Sequence, residues 1–231
     1  MNKSIIYAII AFILYFIQNI FYSLLTGAMR MNELGALGIS STITILLTFI
    51  LLRNKSGMKY YGVSIAKKTN FTSLNIIVIA LPLMNLPYLI NPAEVNFNSI
   101  LLRGVYVGFM EEIIFRGFLY RGIEEKNGTR KAIIVSSIIF GIYHVVNIGS
   151  MPTRFVILQV IYATAIGIIF AVIFSMTQSL VLCMGVHALI DVISFYGQEL
   201  IPAVEYIVTI ICILLALYYW YLNNKEKSIK I

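Results

Sequence analysis

The chain has 231 residues, 60% of them hydrophobic and 12% charged, with a mean hydropathy of +0.90. An average soluble domain carries about 25% charged residues, so a soluble fold is excluded and a polytopic membrane protein is implied. The net charge of +7 comes without an arginine-rich stripe, so it reads as a membrane-topology signal and implies no nucleic-acid partner.

Apolar runs near twenty residues, the length that crosses about 30 Å of hydrocarbon, predict an all-α transmembrane bundle of about eight spans, a single integral membrane domain over 1–231. The first run, 4–25, lacks a small-residue cleavage site after it and is expected to be a retained helix, not a signal peptide. A second run covers 35–52, and the basic segment 55–68 after it either lies along the inner membrane surface or is a solvated loop. The third, 71–91, carries Pro82 and Pro87, which break helices in their interior. Runs at 100–120, 132–149 and 155–176 follow, then a brief and more polar one at 180–196. If the third or the seventh is broken or re-entrant, the count is seven. The last run, 203–222, ends in Tyr218, Tyr219, Trp220 and Tyr221, an interfacial aromatic anchor. Cys183 and Cys212 lie in different runs and support neither a disulfide framework nor a CxxC metal site. No internal repeat is discernible.

Orientation follows from the basic residues, which collect in cytoplasmic loops. With the N-terminus inside, every Lys and Arg falls on the inner side except Arg30, Arg103 and Arg154. Both termini are therefore expected to be cytoplasmic, and a composition rich in Ile, Asn and Lys fits a bacterial plasma membrane.

Three acidic residues, Glu111, Glu112 and Asp191, fall inside apolar runs together with both histidines, His144 and His187. An ionisable group at the bilayer centre costs about 2.5–3.5 kcal/mol, so such groups call for pairing, water or function. Counted at about 1.5 Å per residue from the inner ends of their helices, Glu112, His144 and His187 lie roughly 12, 18 and 10 Å deep. These comparable depths on three helices predict one shared intramembrane site. The pairs Glu112/Arg116, Phe140/His144 and His187/Asp191 are spaced i, i+4, and His144/Asn147 i, i+3, so each pair shares a helix face. Gly104 and Gly108 form a G-x-x-x-G that runs on to Glu112 and lets a neighbouring helix come close. Blander roles exist for each residue alone: Arg116 snorkelling to the headgroups, either histidine packed and hydrogen-bonded, Phe140 as packing, Asn147 as a helix-end polar group.

Taken in order, Glu111-Glu112-Ile-Ile-Phe-Arg116, Phe140-Gly-Ile-Tyr-His144 and His187-Ala-Leu-Ile-Asp191 read E-E-x-x-x-R, F-x-x-x-H and H-x-x-x-D. Over about 100–195 the chain resembles the CPBP family of intramembrane proteases, which includes the CAAX prenyl endopeptidases and bacteriocin-processing or immunity relatives. The resemblance implies an endopeptidase with Glu111 as general base and His144 positioning or polarising the water. It puts His187 and Asp191 at the oxyanion and orientation positions, and makes Glu112 with Arg116 a structural ion pair. Phe140 and Asn147 are candidates for the substrate-binding wall. Two adjacent carboxylates in low dielectric do not both ionise freely, and Arg116 is the cation that offsets one. Which glutamate is the base stays open, because the two point about 100° apart on a helix. Related sequences often have Asn where this one has Asp191, which accepts from His187 but has no amide N–H to donate.

No cofactor is expected. The alternative is a zinc-dependent form of the same protease, since two His and several carboxylates suit zinc, although there is no H-E-x-x-H and Arg116 sets a fixed cation beside the carboxylates. Expected partners are a membrane-embedded or lipid-anchored peptide or protein and the membrane lipids, with access from the inner side. Two further readings are a non-catalytic membrane binding or immunity protein and a proton-coupled transporter, the latter disfavoured by the lack of an inverted repeat.

Overall fold

In a computed structural model the described residues are 2–53, 58–64, 72–90, 92, 94, 96–197 and 202–229. Among them the chain is all-helical, with no strand. The helices are α1 (Lys3–Gly27), α2 (Glu33–Arg53), α3 (Thr72–Leu83), α4 (Phe97–Glu112), α5 (Arg121–Tyr143), α6 (Thr153–Thr177), α7 (Leu180–Tyr196) and α8 (Pro202–Ile229). Short 3₁₀ turns cover Leu86–Ile90 and His144–Asn147, and a π-helical segment, Ile113–Tyr120, joins α4 to α5.

By length and composition five helical runs are able to cross a membrane: Lys3–Gly27, Glu33–Arg53, Phe97–Asn147, Thr153–Thr177 and Ala203–Leu222. Ile76–Ile90 and Leu180–Tyr196 are shorter apolar helices. The difference from eight has local causes. The third expected span stops at Leu83, one residue after Pro82, and resumes as a 3₁₀ turn. The fourth and fifth form one 51-residue run, bent where Gly128 takes φ 79° and ψ 166°.

Large apolar side chains such as Phe16, Ile50, Ile79 and Leu214 cover the outside, while Gln18, Ser40, Ser41, Thr44 and Thr48 are buried. That inversion suits a lipid solvent, in which polar groups are hidden between helices. Gln18 Nε2 donates to Ser40 Oγ at 3.0 Å, joining α1 to α2, and Thr44 and Thr48 return their hydroxyls to backbone carbonyls one turn back. In the segment after α2, Tyr61 is fully buried and stacks edge-on against Phe118. Gly62 O accepts from Leu180 N at 2.6 Å, and Ser179 donates to Ser64 O at 2.7 Å. Residues 60–64 are therefore docked on the bundle, while Met58 and Lys59 are exposed; the rest of 55–68 lies outside the described residues. At the last span's end Tyr218 and Tyr221 are exposed as an anchor requires, whereas Tyr219 is buried.

The close packing of α4 on α7 follows from the glycine spacing. A Cβ on Gly104 would stand 2.6 Å from Val192 Cγ2, and one on Gly108 would stand 2.8 Å from the Ala188 backbone N. Only glycine allows this approach, and it sets the last turn of α4 beside His187. Gly108→Ala is expected to destabilise the fold by about 1–3 kcal/mol through overpacking, whereas Gly185→Ala, with nothing within 4 Å of its added Cβ, is not. Thermal unfolding of both variants in detergent checks this.

Candidate active site

The site grows from the junction of α4 and the π segment. Glu112 is the last residue of α4 and is fully buried, and Arg116, 1% exposed, is in the π segment. π-helical insertions are rare and mark functional positions in many helices. Here Arg116 Nη1 donates to Glu112 Oε1 at 2.9 Å and Nη2 to Gly167 O of α6 at 3.3 Å. The guanidinium lies 4.4 Å above the Phe140 ring and 5.3 Å from that of Phe170. Arg116 is thus paired and stacked and does not snorkel.

His187 completes the arrangement from α7. Its Nδ1–H donates to Glu112 Oε1 at 2.8 Å, while Nε2 is 3.6 Å from Glu111 Oε2 and 3.7 Å from Asp191 Oδ2. Its ring stacks on Phe170 and meets Phe140 edge-on. Asp191 therefore stands beside His187 beyond hydrogen-bond reach, and its Oδ2 is buried with no partner among the described residues.

His144 departs from the mid-helix position expected of it. α5 ends at Tyr143, and His144 opens the 3₁₀ turn, half-buried, with Nδ1 2.9 Å from Phe140 O. Because a carbonyl only accepts, Nδ1 carries the hydrogen and Nε2 keeps its lone pair. Asn147, at the end of the same turn, donates from Nδ2 to Gln159 Oε1 of α6 at 2.8 Å.

Two cavities meet here. The larger, about 720 Å³, is bordered by Glu111, His144, His187 and Asp191, and by Asn147, Gln159 and Phe16 among others. The smaller, about 260 Å³, lies on the other side of His187 and Asp191 and is bordered by Phe140, Tyr88, Tyr162, Ser194 and Glu205. Glu112 borders neither. The two glutamates are thereby distinguished: Glu111 faces open space, whereas Glu112 is enclosed by Arg116 and His187. Asn147, Ser150, Met151 and Phe155 place the cavity mouths at the end of the bundle away from the basic loops. Tyr61, Phe118, Tyr120 and Phe174 are buried and packed edge-on toward the other end. Exposed Phe12, Phe16 and Val146 also open the larger cavity sideways between α1 and the end of α5.

The first span carries none of the three motifs, yet α1 supplies Tyr15. Its hydroxyl donates to Glu111 Oε1 at 3.4 Å, and its ring packs on Tyr106 and Tyr143. Gln159 was also missed. The available signal was the occurrence of a Gln and a Tyr inside otherwise apolar runs, which is too common to single out either. No three His, Cys, Asp or Glu side chains among the described residues converge to hold a metal ion.

Residues 94–193 match the family model for type II CAAX prenyl endopeptidase Rce1-like proteins. Over that segment the chain is similar to the CPBP/CAAX protease family. The matched segment contains all three motifs, from Glu111 to Asp191, and the similarity is to a family of proteases. With its apolar helices, the chain is an integral membrane protein. No curated protein matches it. Tyr15 lies outside the segment that the CAAX family model covers. Tyr15→Phe is expected to lower kcat for peptide cleavage about fivefold, the equivalent of about 1 kcal/mol for one hydrogen bond, with KM unchanged in a steady-state assay.

Proposed function

We propose that this chain is an intramembrane endopeptidase that hydrolyses a peptide bond of a membrane-embedded or lipid-anchored peptide with water activated by Glu111. The observation that carries this reading is the separation of the two glutamates. Glu111 borders the 720 Å³ cavity together with His144, whereas Glu112 is committed to Arg116 at 2.9 Å and His187 at 2.8 Å. Glu111 takes a proton from the attacking water, and His144 Nε2 accepts a hydrogen bond from that water and holds it. Glu111 then returns the proton to the leaving amine. Glu112, Arg116 and Phe170 fix the ring of His187. The wall made by Phe140 and Asn147 orients the substrate.

The residues fit zinc poorly. His187 directs Nδ1 at Glu112, and Nε2 stays 3.6 and 3.7 Å from Glu111 and Asp191, while Arg116 occupies the cation position at Glu112. The reading therefore uses no metal ion.

In this proposal the 51-residue run Phe97–Asn147 crosses the membrane twice, folding back at Gly128. A straight helix of that length would span about 76 Å, more than twice a hydrocarbon core of about 30 Å. With Ile76–Ile90 and Leu180–Tyr196 also crossing, the count is eight. Both termini then lie with the basic loops on the cytoplasmic side of a bacterial plasma membrane, and the whole chain is one membrane domain.

The test is release of product from two quenched-fluorescence peptides, one ending in a prenylated C-a-a-X sequence and one an unprenylated amphipathic leader peptide. Glu111→Gln and His144→Ala are expected to abolish cleavage, and a chelator is expected to leave the wild type unaffected. Loss on chelation with rescue by zinc would move the assignment to a metalloprotease. Full activity in both variants would overturn the site.

A further inference from the structure

Amide hydrolysis generates an oxyanion, and a donor placed where that charge develops is among the largest contributions to catalysis. The motif position expected to supply it is occupied by Asp191, a carboxylate, which accepts only. His187 directs Nδ1–H away from the cavities at Glu112, and His144 spends Nδ1–H on Phe140 O. Arg116 is buried behind Phe140, with its hydrogens given to Glu112 and Gly167. Of the motif nitrogens only His187 Nε2 remains, and it stands between the carboxylates of Glu111 and Asp191 at 3.6 and 3.7 Å.

Both cavities are bordered by His144, Gln159, His187, Asp191 and Phe195, which form the boundary between them. Within this group Gln159 carries a neutral amide. Its Oε1 accepts from Asn147 Nδ2 at 2.8 Å, which fixes the orientation of the amide plane and turns Nε2 away from Asn147. Among the described residues Nε2 has no protein partner. Gln159 lies in the second turn of α6, and Asn147 uses only its oxygen.

We propose that Gln159 is a catalytic residue, the donor that stabilises the oxyanion through Nε2–H, with Asn147 as its positioning residue. The inference rests on the endopeptidase reading above. As water oxygen bonds to the carbonyl carbon, its proton passes to Glu111, and the carbonyl π electrons move onto oxygen, where Gln159 donates. When the carbonyl re-forms, the C–N bond breaks and the Glu111 proton goes to the departing nitrogen. The products are an acid and an amine, and only water is consumed.

Two substitutions separate the donor from its surroundings. Gln159→Glu keeps an oxygen for Asn147 and loses the N–H, and Gln159→Met loses both without adding charge. With whichever of the two quenched peptides the wild type cleaves faster, each variant is expected to lower kcat about 100-fold with KM nearly unchanged, the usual scale for removing one oxyanion donor. Binding of that peptide to Glu111→Gln is expected to be the same with and without Gln159→Met, and thermal unfolding is expected to match the wild type. If kcat stays within about threefold while Glu111→Gln is inactive, Gln159 is not the donor and the glutamate reading stands. A loss of kcat matched by weaker peptide binding or a lower unfolding temperature would overturn the catalytic role in favour of a structural one. Full activity of Glu111→Gln, or no cleavage of either peptide by the wild type, would overturn the endopeptidase reading and this proposal with it.

Discussion

The ion pair between Glu112 and Arg116, both essentially without exposure, is the constraint around which the rest of the site is arranged. Removing two charges from water costs several kcal/mol per ion, and a pair recovers this only with good geometry and additional hydrogen bonds. Those are present: a carbonyl of α6 takes the second guanidinium nitrogen, two aromatic rings cover its faces, and His187 adds a donor to the same carboxylate oxygen. One interaction thereby ties together α4, the π segment, α5, α6 and α7. It also engages Oε1 of one carboxylate twice, with Oε2 buried and without a hydrogen-bond partner among the described residues, and leaves the neighbouring Glu111 facing the cavity.

Backbone geometry serves this pair. The glycine seam brings α7 onto α4, and the π segment alters the turn in which Arg116 sits, so that its side chain reaches both Glu112 and α6. The aromatic residues that support the guanidinium continue toward the basic end of the bundle as a closed plug, and open space lies on the other side. In the proposed topology, a peptide would approach the carboxylates from the far end or from the lipid between α1 and α5, where exposed phenylalanines line the gap.

Much of this was legible in the sequence because membranes make polar residues conspicuous. Glu111, Glu112, His144, His187 and Asp191 stood out against apolar runs, and G-x-x-x-G pointed at the seam that joins α4 to its partner. What was illegible depended on backbone details that hydropathy does not encode. The π segment has the same apolar composition as a regular helix, and nothing in F-x-x-x-H indicates that α5 gives way to a 3₁₀ turn at the histidine. The spacing of His187 and Asp191 put them on one face, yet side-chain rotation leaves them 3.7 Å apart. Tyr15 and Gln159 reach the site from helices whose patterns contain no motif, so only the folded arrangement reveals them. Pro82 and Gly128 reshape runs that hydropathy treats as uniform.

The division of labour between adjacent glutamates is tested most directly by thermal unfolding of Glu112→Gln beside Glu111→Gln in the same detergent. Glu112→Gln strands the buried guanidinium and is predicted to lose about 3–5 kcal/mol of stability, while Glu111→Gln unfolds like the wild type. Equal stability of the two, or a greater loss for Glu111→Gln, would contradict the assignment of Glu112 to structure and Glu111 to chemistry.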